Sequence, residues 1–207
     1  MQKSAKSVGR PRREGLDQAI LQAALDELAS VGYTRMTIAA VAERANTTKP
    51  TVYARFPSKA ELTARALESL RQRTPRHRTG DVRADLVEEL SLLRSGALRR
   101  GGVTMLAAVL AEEQTNPELL DLFRTHVIAP RRANLRRILE AGLADGQLDP
   151  GADVELAISM LVGSLYAAYS AGQPPGPDWP ARVVESWLRR NTGTGPDTGT
   201  GTTPGTE

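Results

Sequence analysis

The chain has 207 residues, with 27 Lys plus Arg against 24 Asp plus Glu and a formal net charge of +3. That length buries a real core in one domain or two small ones, and 40% apolar residues fit a globular protein. With no cysteine, disulfide scaffolds, thiolate zinc sites and thiol nucleophiles are excluded.

The two histidines, His77 and His126, lack metal-ligand spacing, so no metal site and no cofactor are expected. No run approaches the roughly 20 apolar residues of a membrane span. The basic N-terminus has no apolar stretch behind it, so no secretory signal is expected, and the chain is expected in the cytoplasm. The net charge hides an asymmetry. Residues 1–78 carry 15 Lys/Arg and 7 Asp/Glu, a net of +8; residues 79–207 carry 12 and 17, a net of −5. A basic front on an acidic body points to a polyanion at the front alone. DNA, RNA and an anionic membrane surface all satisfy that condition.

Residues 1–14 are polar and basic and are expected to form a flexible arm. Leu16, Ile20, Ala24, Leu28 and Val31 recur at helical spacing, and Gly32 stands where that helix should stop. Thr37 is a cap for a short second helix through Ala45. Asn46-Thr47-Thr48 breaks it, and a third short helix is predicted from about Lys49 to Phe56, ended by Pro57. Ser58-Lys59-Ala60-Glu61 is a capping box that opens a fourth helix toward Arg71. The basic stretch from Gln72 to Gly80 reads as a loop.

The second half is helical too. Val82, Leu86, Leu90, Leu93 and Ala97 form one stripe, broken at Arg99-Arg100-Gly101-Gly102. A helix from Val103 to Gln114 follows. Asn116-Pro117 opens the next helical region, which runs to about Leu143 with a kink or break expected near Pro130. Gly146 to Gly151 is a turn cluster. Asp153 to Ala171 is the most apolar helix. A proline-rich linker follows, and Asp178 to Arg190 makes the last helix. Residues 191–207 hold 7 Thr, 5 Gly and 2 Pro, so a disordered tail is expected. No strand-like alternation stands out, and the fold is expected to be all-α.

A helix ending at glycine, a capped short helix, a three-residue break and a second short helix have the spacing of a helix-turn-helix. Val52 and Phe56, four apart, face inward, which leaves Lys49, Thr51, Tyr53 and Arg55 for other faces. A helix start bearing Thr48, Lys49 and Thr51 offers hydroxyls, a cation and unpaired backbone N–H groups to phosphates and base edges.

Gly32-Tyr33, Thr37-Ile38-Ala39-Ala40-Val41-Ala42, Thr48-Lys49-Pro50-Thr51-Val52-Tyr53-Ala54-Arg55-Phe56 and Lys59-Ala60-Glu61-Leu62 together resemble the DNA-binding domain of the TetR (Tet-repressor) family. The resemblance covers roughly residues 15–65. It implies an N-terminal three-helix DNA-binding domain (15–60), a C-terminal helical ligand-binding and dimerisation domain (61–190), a double-stranded DNA operator, a homodimer and a small-molecule inducer. It also implies that Thr37 contacts phosphate, that Thr48, Lys49, Pro50 and Thr51 lead the recognition helix, and that Tyr53 and Lys59 grip phosphates. Asn46-Thr47 stands where the family commonly has glycine and an apolar residue. Asparagine tolerates the left-handed backbone, and Thr47 is turned toward DNA in this reading. Pro50 disfavours a helical Lys49, so either Thr48 or Lys49 is the cap. Gly9-Arg10-Pro11-Arg12 resembles the core of an AT-hook. Extended, it would place Arg10 and Arg12 in a narrow minor groove; otherwise the arm only solubilises.

No catalytic set appears. Glu112 and Glu113 are adjacent and cannot share a helix face, and Arg131, Arg132, Arg136 and Arg137 read as a solvated face. The helix from Asp153 to Ala171 is apolar around nearly its whole circumference, so burial on all sides, completed by a second chain, is expected. The dimer-interface candidates are Ile158, Leu161, Val162, Leu165, Tyr169, Val184, Trp187 and Leu188. Candidate inducer-pocket residues are Met105, Val109, Phe123, Val127, Met160 and Tyr166, with Glu113 and His126 as polar groups. The rival reading is a non-DNA helical bundle. It is disfavoured as an enzyme by the missing catalytic set, and as a membrane binder because residues 1–14 lack aromatic anchors on an amphipathic helix.

Overall fold

The computed structural model describes residues 10–70, 78–98 and 102–192, with side chains from residue 15 onward. Among them are α1 (Arg10–Arg35), α2 (Ile38–Arg44), α3 (Lys49–Tyr53), α4 (Lys59–Ser69), α5 (Val82–Leu98), α6 (Gly102–Ala111), α7 (Pro117–Phe123), a π-helical segment (Arg124–Ile128), α8 (Ala129–Ala144), α9 (Val154–Ser170) and α10 (Trp179–Leu188). No described residue is in a strand, and the chain is all-α. No helix among the described residues is long and apolar enough to cross a membrane. The expected arm up to Gly9, the Arg99–Gly101 break, most of the 72–80 loop and the tail from residue 193 lie outside the described residues.

Two compact units divide the chain. The first comprises residues 1–77 and 91–134, the second residues 78–90 and 135–207. In the first unit α1 packs on α2, α4 and α6, α2 on α3, and α4 on α7 and the π-helical segment. One hydrophobic core joins them. It takes Ile20, Ala24 and Leu28 from α1, Val41 from α2, Val52 from α3, Leu62 and Leu67 from α4, Met105 and Val109 from α6, and Leu119 and Phe123 from α7. In the second unit α9 packs on α10. Leu86, Leu90, Leu135, Leu139, Ile158, Leu161, Leu165 and Val184 are buried there. Arg83 donates to Glu185 at 2.8 Å across an exposed surface, and that hydrogen bond holds the Glu185 carboxyl below its ordinary value.

Two expectations change. Helix α1 starts at Arg10 rather than Leu16, so Arg10-Pro11-Arg12 lies in its first turn and is not extended. Proline is tolerated there, because that N–H has no helical acceptor and the ring sets a helical φ. The break expected near Pro130 is instead the π-helical segment just before it. Proline gives no N–H and crowds the carbonyl four residues back; a wider turn relieves both. Within its unit α9 leaves Leu156 56% and Met160 54% exposed.

Candidate nucleic-acid interface

The local chemistry of α2 and α3 sets the candidate reading surface. Thr37 has an extended backbone and its Oγ1 accepts from Ala40 N at 3.1 Å, capping α2. Asn46 then takes φ 49, the one positive φ among described non-glycine residues. Its short polar side chain makes that conformation affordable. Thr48 caps α3, with Oγ1 accepting from Thr51 N at 3.4 Å and lying 2.8 Å from Thr51 Oγ1. That places the cap at Thr48 and leaves Lys49-Pro50 as the first helical residues, where proline belongs.

Val52 and Phe56 are buried, as their spacing predicts, and hold α3 on the core. Thr37, Thr48, Lys49 and Pro50 are exposed, Thr47 and Thr51 are half-buried, and Tyr53 is 44% exposed. Lys49 Nζ stands 5.8 Å from the Tyr53 ring centroid. Hydroxyls, an ammonium and a phenol therefore lie together along one short capped helix. Arg10 and Arg12 have no described side chains.

Lys59 differs from the simple surface cation that the sequence suggests. Its Nζ donates to Tyr33 O at 2.8 Å and to Met36 O at 3.4 Å, and lies 4.3 Å from the Tyr33 ring centroid. Two of its three protons thus serve backbone carbonyls. Burial, and then the carboxylate of Glu118, raises the Tyr33 phenol above its ordinary value.

Several positioning contacts have no local sequence signal. Arg55 Nε donates to Asp17 Oδ1 at 2.7 Å and Arg55 Nη1 to Thr51 O at 3.1 Å, tying α3 to α1. Arg44 donates to the nearly buried Glu27 Oε1 from Nε at 3.0 Å and from Nη2 at 2.6 Å. Glu112 accepts from the backbone N–H of Tyr33 at 2.6 Å and of Thr34 at 3.2 Å. Asn116 stands at the start of α7 without a side-chain cap bond, because its amide is turned to Glu112 and Thr34.

The expected pocket residues are divided between the two units. Met105, Val109, Phe123 and Val127 belong to the core of the first unit. Glu113 is exposed and His126 half-buried. In the second unit Tyr166 is half-buried. Met160, expected on an inner face, instead lines an open groove of about 370 Å3 with Leu156, Ser164, Val183 and Trp187. Six of the expected interface residues, Ile158, Leu161, Leu165, Val184, Trp187 and Leu188, fill the second unit's own interior. Val162 is half-buried, and Tyr169 is 42% exposed.

Comparison with known proteins agrees with the geometry. Residues 20–66 match the family model of bacterial regulatory proteins, tetR family, and residues 76–187 match a tetracyclin repressor-like C-terminal domain. The HTH-type transcriptional regulator YdeS of Bacillus subtilis is 32% identical, over 76% of this chain and 80% of its own length. A DNA-binding transcriptional repressor TetR of Mycobacteroides abscessus is 26% identical, over 86% of this chain and 94% of its own. The crystal structure of the TetR-family regulator SCO0332 is 27% identical with a TM-score of 0.59, covering 84% of this chain and 97% of that one. With a capped two-helix reading head and both halves of the family pattern, this chain belongs to the tetR family of DNA-binding transcriptional regulators, not to a family of enzymes.

Proposed function

We propose that the chain is a cytoplasmic, ligand-responsive repressor that binds a palindromic operator as a homodimer and is released by a small-molecule inducer. The observation that carries this reading is the start of α3: Thr48, Lys49, Pro50 and Tyr53 lie exposed on a helix anchored by buried Val52. In this reading Thr48, Lys49, Pro50 and Thr51 enter the major groove. Thr37, Thr47 and Tyr53 contact the DNA backbone, and Lys59 donates a hydrogen bond to a phosphate through its remaining N–H. Repression is supported by the name of the Mycobacteroides abscessus relative. Homodimerisation is supported by the open apolar row of Leu156 and Met160 on α9. A two-fold dimer sets two recognition helices about one DNA turn apart. The inducer shifts the population toward conformers that fit the operator poorly.

A gel shift with the DNA flanking the chain's own coding region tests this reading. With about 6–10 phosphate contacts, affinity falls about 10³–10⁵-fold between 50 and 200 mM salt. Absence of any shift at low salt with dimeric protein overturns it. Thr51→Ala changes which operator sequences are preferred.

A further inference from the structure

Helix α1 is interrupted at Gly32, whose φ of 78 and ψ of 168 leave the helical region. Residues 33–36 then form a single turn, closed by Met36 N donating to Gly32 O at 3.0 Å. Thr37, the cap of α2, follows at once. A one-turn helix cannot satisfy its own leading N–H groups. Here one side chain from 79 residues away satisfies both. Glu112, just after α6, accepts from Tyr33 N through Oε1 at 2.6 Å and from Thr34 N through Oε2 at 3.2 Å. Oε2 also accepts from Thr34 Oγ1 at 3.2 Å and from Asn116 Nδ2 at 2.8 Å. Asn116 Nδ2 in turn reaches Thr34 Oγ1 at 2.5 Å.

The other end of the turn is held as well. Its Tyr33 and Met36 carbonyls accept from Lys59 at the start of α4. A carboxylate at the amide end and an ammonium at the carbonyl end match the sense of the peptide dipoles. The space is made for the carboxylate: a Cβ on Gly32 would collide with Glu112 Oε1.

We propose that Glu112 is a positioning residue for DNA recognition. Its carboxylate latches the end of α6 to the turn that sets where α2 begins, and so fixes the angle at which α2 and α3 meet the operator. The inference rests on the DNA-reading role of α3. Without the latch, the turn and α2 sample several orientations, and only a fraction of them fits an operator. Apparent operator affinity falls by that fraction. Non-specific DNA binding follows the count of phosphate contacts, not the docking angle, and stays put.

The test uses the full-length protein, an operator selected from random duplexes on the wild type, and an unrelated duplex of equal length, with binding read by fluorescence anisotropy at one salt concentration. Glu112→Gln keeps the shape but turns an amide donor toward groups that already donate. Operator affinity is expected to fall about tenfold, the scale of one hydrogen bond to a charged group. Affinity for the unrelated duplex should stay within about twofold. Asn116→Ala gives a smaller change in the same direction. Amide exchange at Tyr33 and Thr34 should speed up in both variants, whereas amides of Leu62 and Leu67 in α4 keep their protection. Equal losses on the two duplexes, or unchanged operator affinity, overturn the proposal. If Glu112→Gln does not fold, Asn116→Ala and Thr34→Val carry the same comparison. A wild type that selects no operator at all would instead refute the DNA-reading role on which the latch depends.

Discussion

Arg55 Nε and Asp17 Oδ1 are 2.7 Å apart, an ion pair that joins the end of α3 to α1 across 38 positions of sequence. Arg55 also holds the Thr51 carbonyl, so α3 is braced at two points by one guanidinium. The pair is partly exposed, so Asp17→Ala should cost under about 1 kcal/mol of folding stability in a urea titration. Operator affinity should fall further, about three- to tenfold, because α3 loses its brace and fewer molecules present it correctly. Equal effects on the unfolding midpoint and on binding would argue that the pair serves stability alone.

Two glycines with positive φ differ in their surroundings. Gly32 and Gly146 both have positive φ, at 78 and 69, but a Cβ meets Glu112 at Gly32 and nothing within 4 Å at Gly146. Gly146→Ala should cost about 1–2 kcal/mol, the penalty of a left-handed residue. Gly32→Ala should cost about 3 kcal/mol or more, since its backbone lies in a region nearly reserved for glycine and the carboxylate must move. Denaturant midpoints of the two variants make the comparison, and equal midpoints would remove the crowding argument.

The open row on α9 can be tested directly. Leu156→Glu with Met160→Glu places charge where the proposed second copy sits, without disturbing buried neighbours. The double variant should run at the mass of one chain in light scattering and keep its helical circular dichroism. A variant that remains dimeric would move the interface elsewhere on the chain.

Tyr33 gives a pH dependence of definite sign. Its phenol is raised above the ordinary 10.0 in the folded chain, so the unfolded chain releases that proton first. The stabilisation is complete below the unfolded value and is lost as pH rises through the folded one. Urea midpoints should therefore decline as pH rises past the ordinary tyrosine value of about 10, and Tyr33→Phe should flatten part of that decline. An unchanged slope in the variant would assign the alkaline loss to other groups.

The caps and the turn of the first four helices are legible in the sequence because each follows a local rule. Thr37, Thr48 and Ser58 all accept the hydrogen bonds their positions predict, and Asn46 takes the left-handed turn. What was not legible depends on distance along the chain. Glu112 meets the Gly32 turn only in the fold, and beside Glu113 its position in the sequence carries no sign of that partner. Lys59 resembles a phosphate-gripping lysine in its motif, yet the motif cannot show that two carbonyls already hold it. In α9 periodicity identified apolar positions, but both the face that fills the unit's own interior and the face left open are apolar. Only packing separates them.

The core that joins Val52 and Leu62 to Met105, Leu119 and Phe123 has a consequence for protein engineering. The two family matches end and begin at residues 66 and 76, which invites a splice between them to graft a foreign sensor onto this reader. Such a splice would keep α1 to α4 and discard the residues of α6 and α7 that plug their underside. Leu62 and Leu67 would face either water or a mismatched surface. A transplantable reader should therefore carry residues 91–134 along with it, leaving residues 78–90 and 135 onward as the exchangeable part.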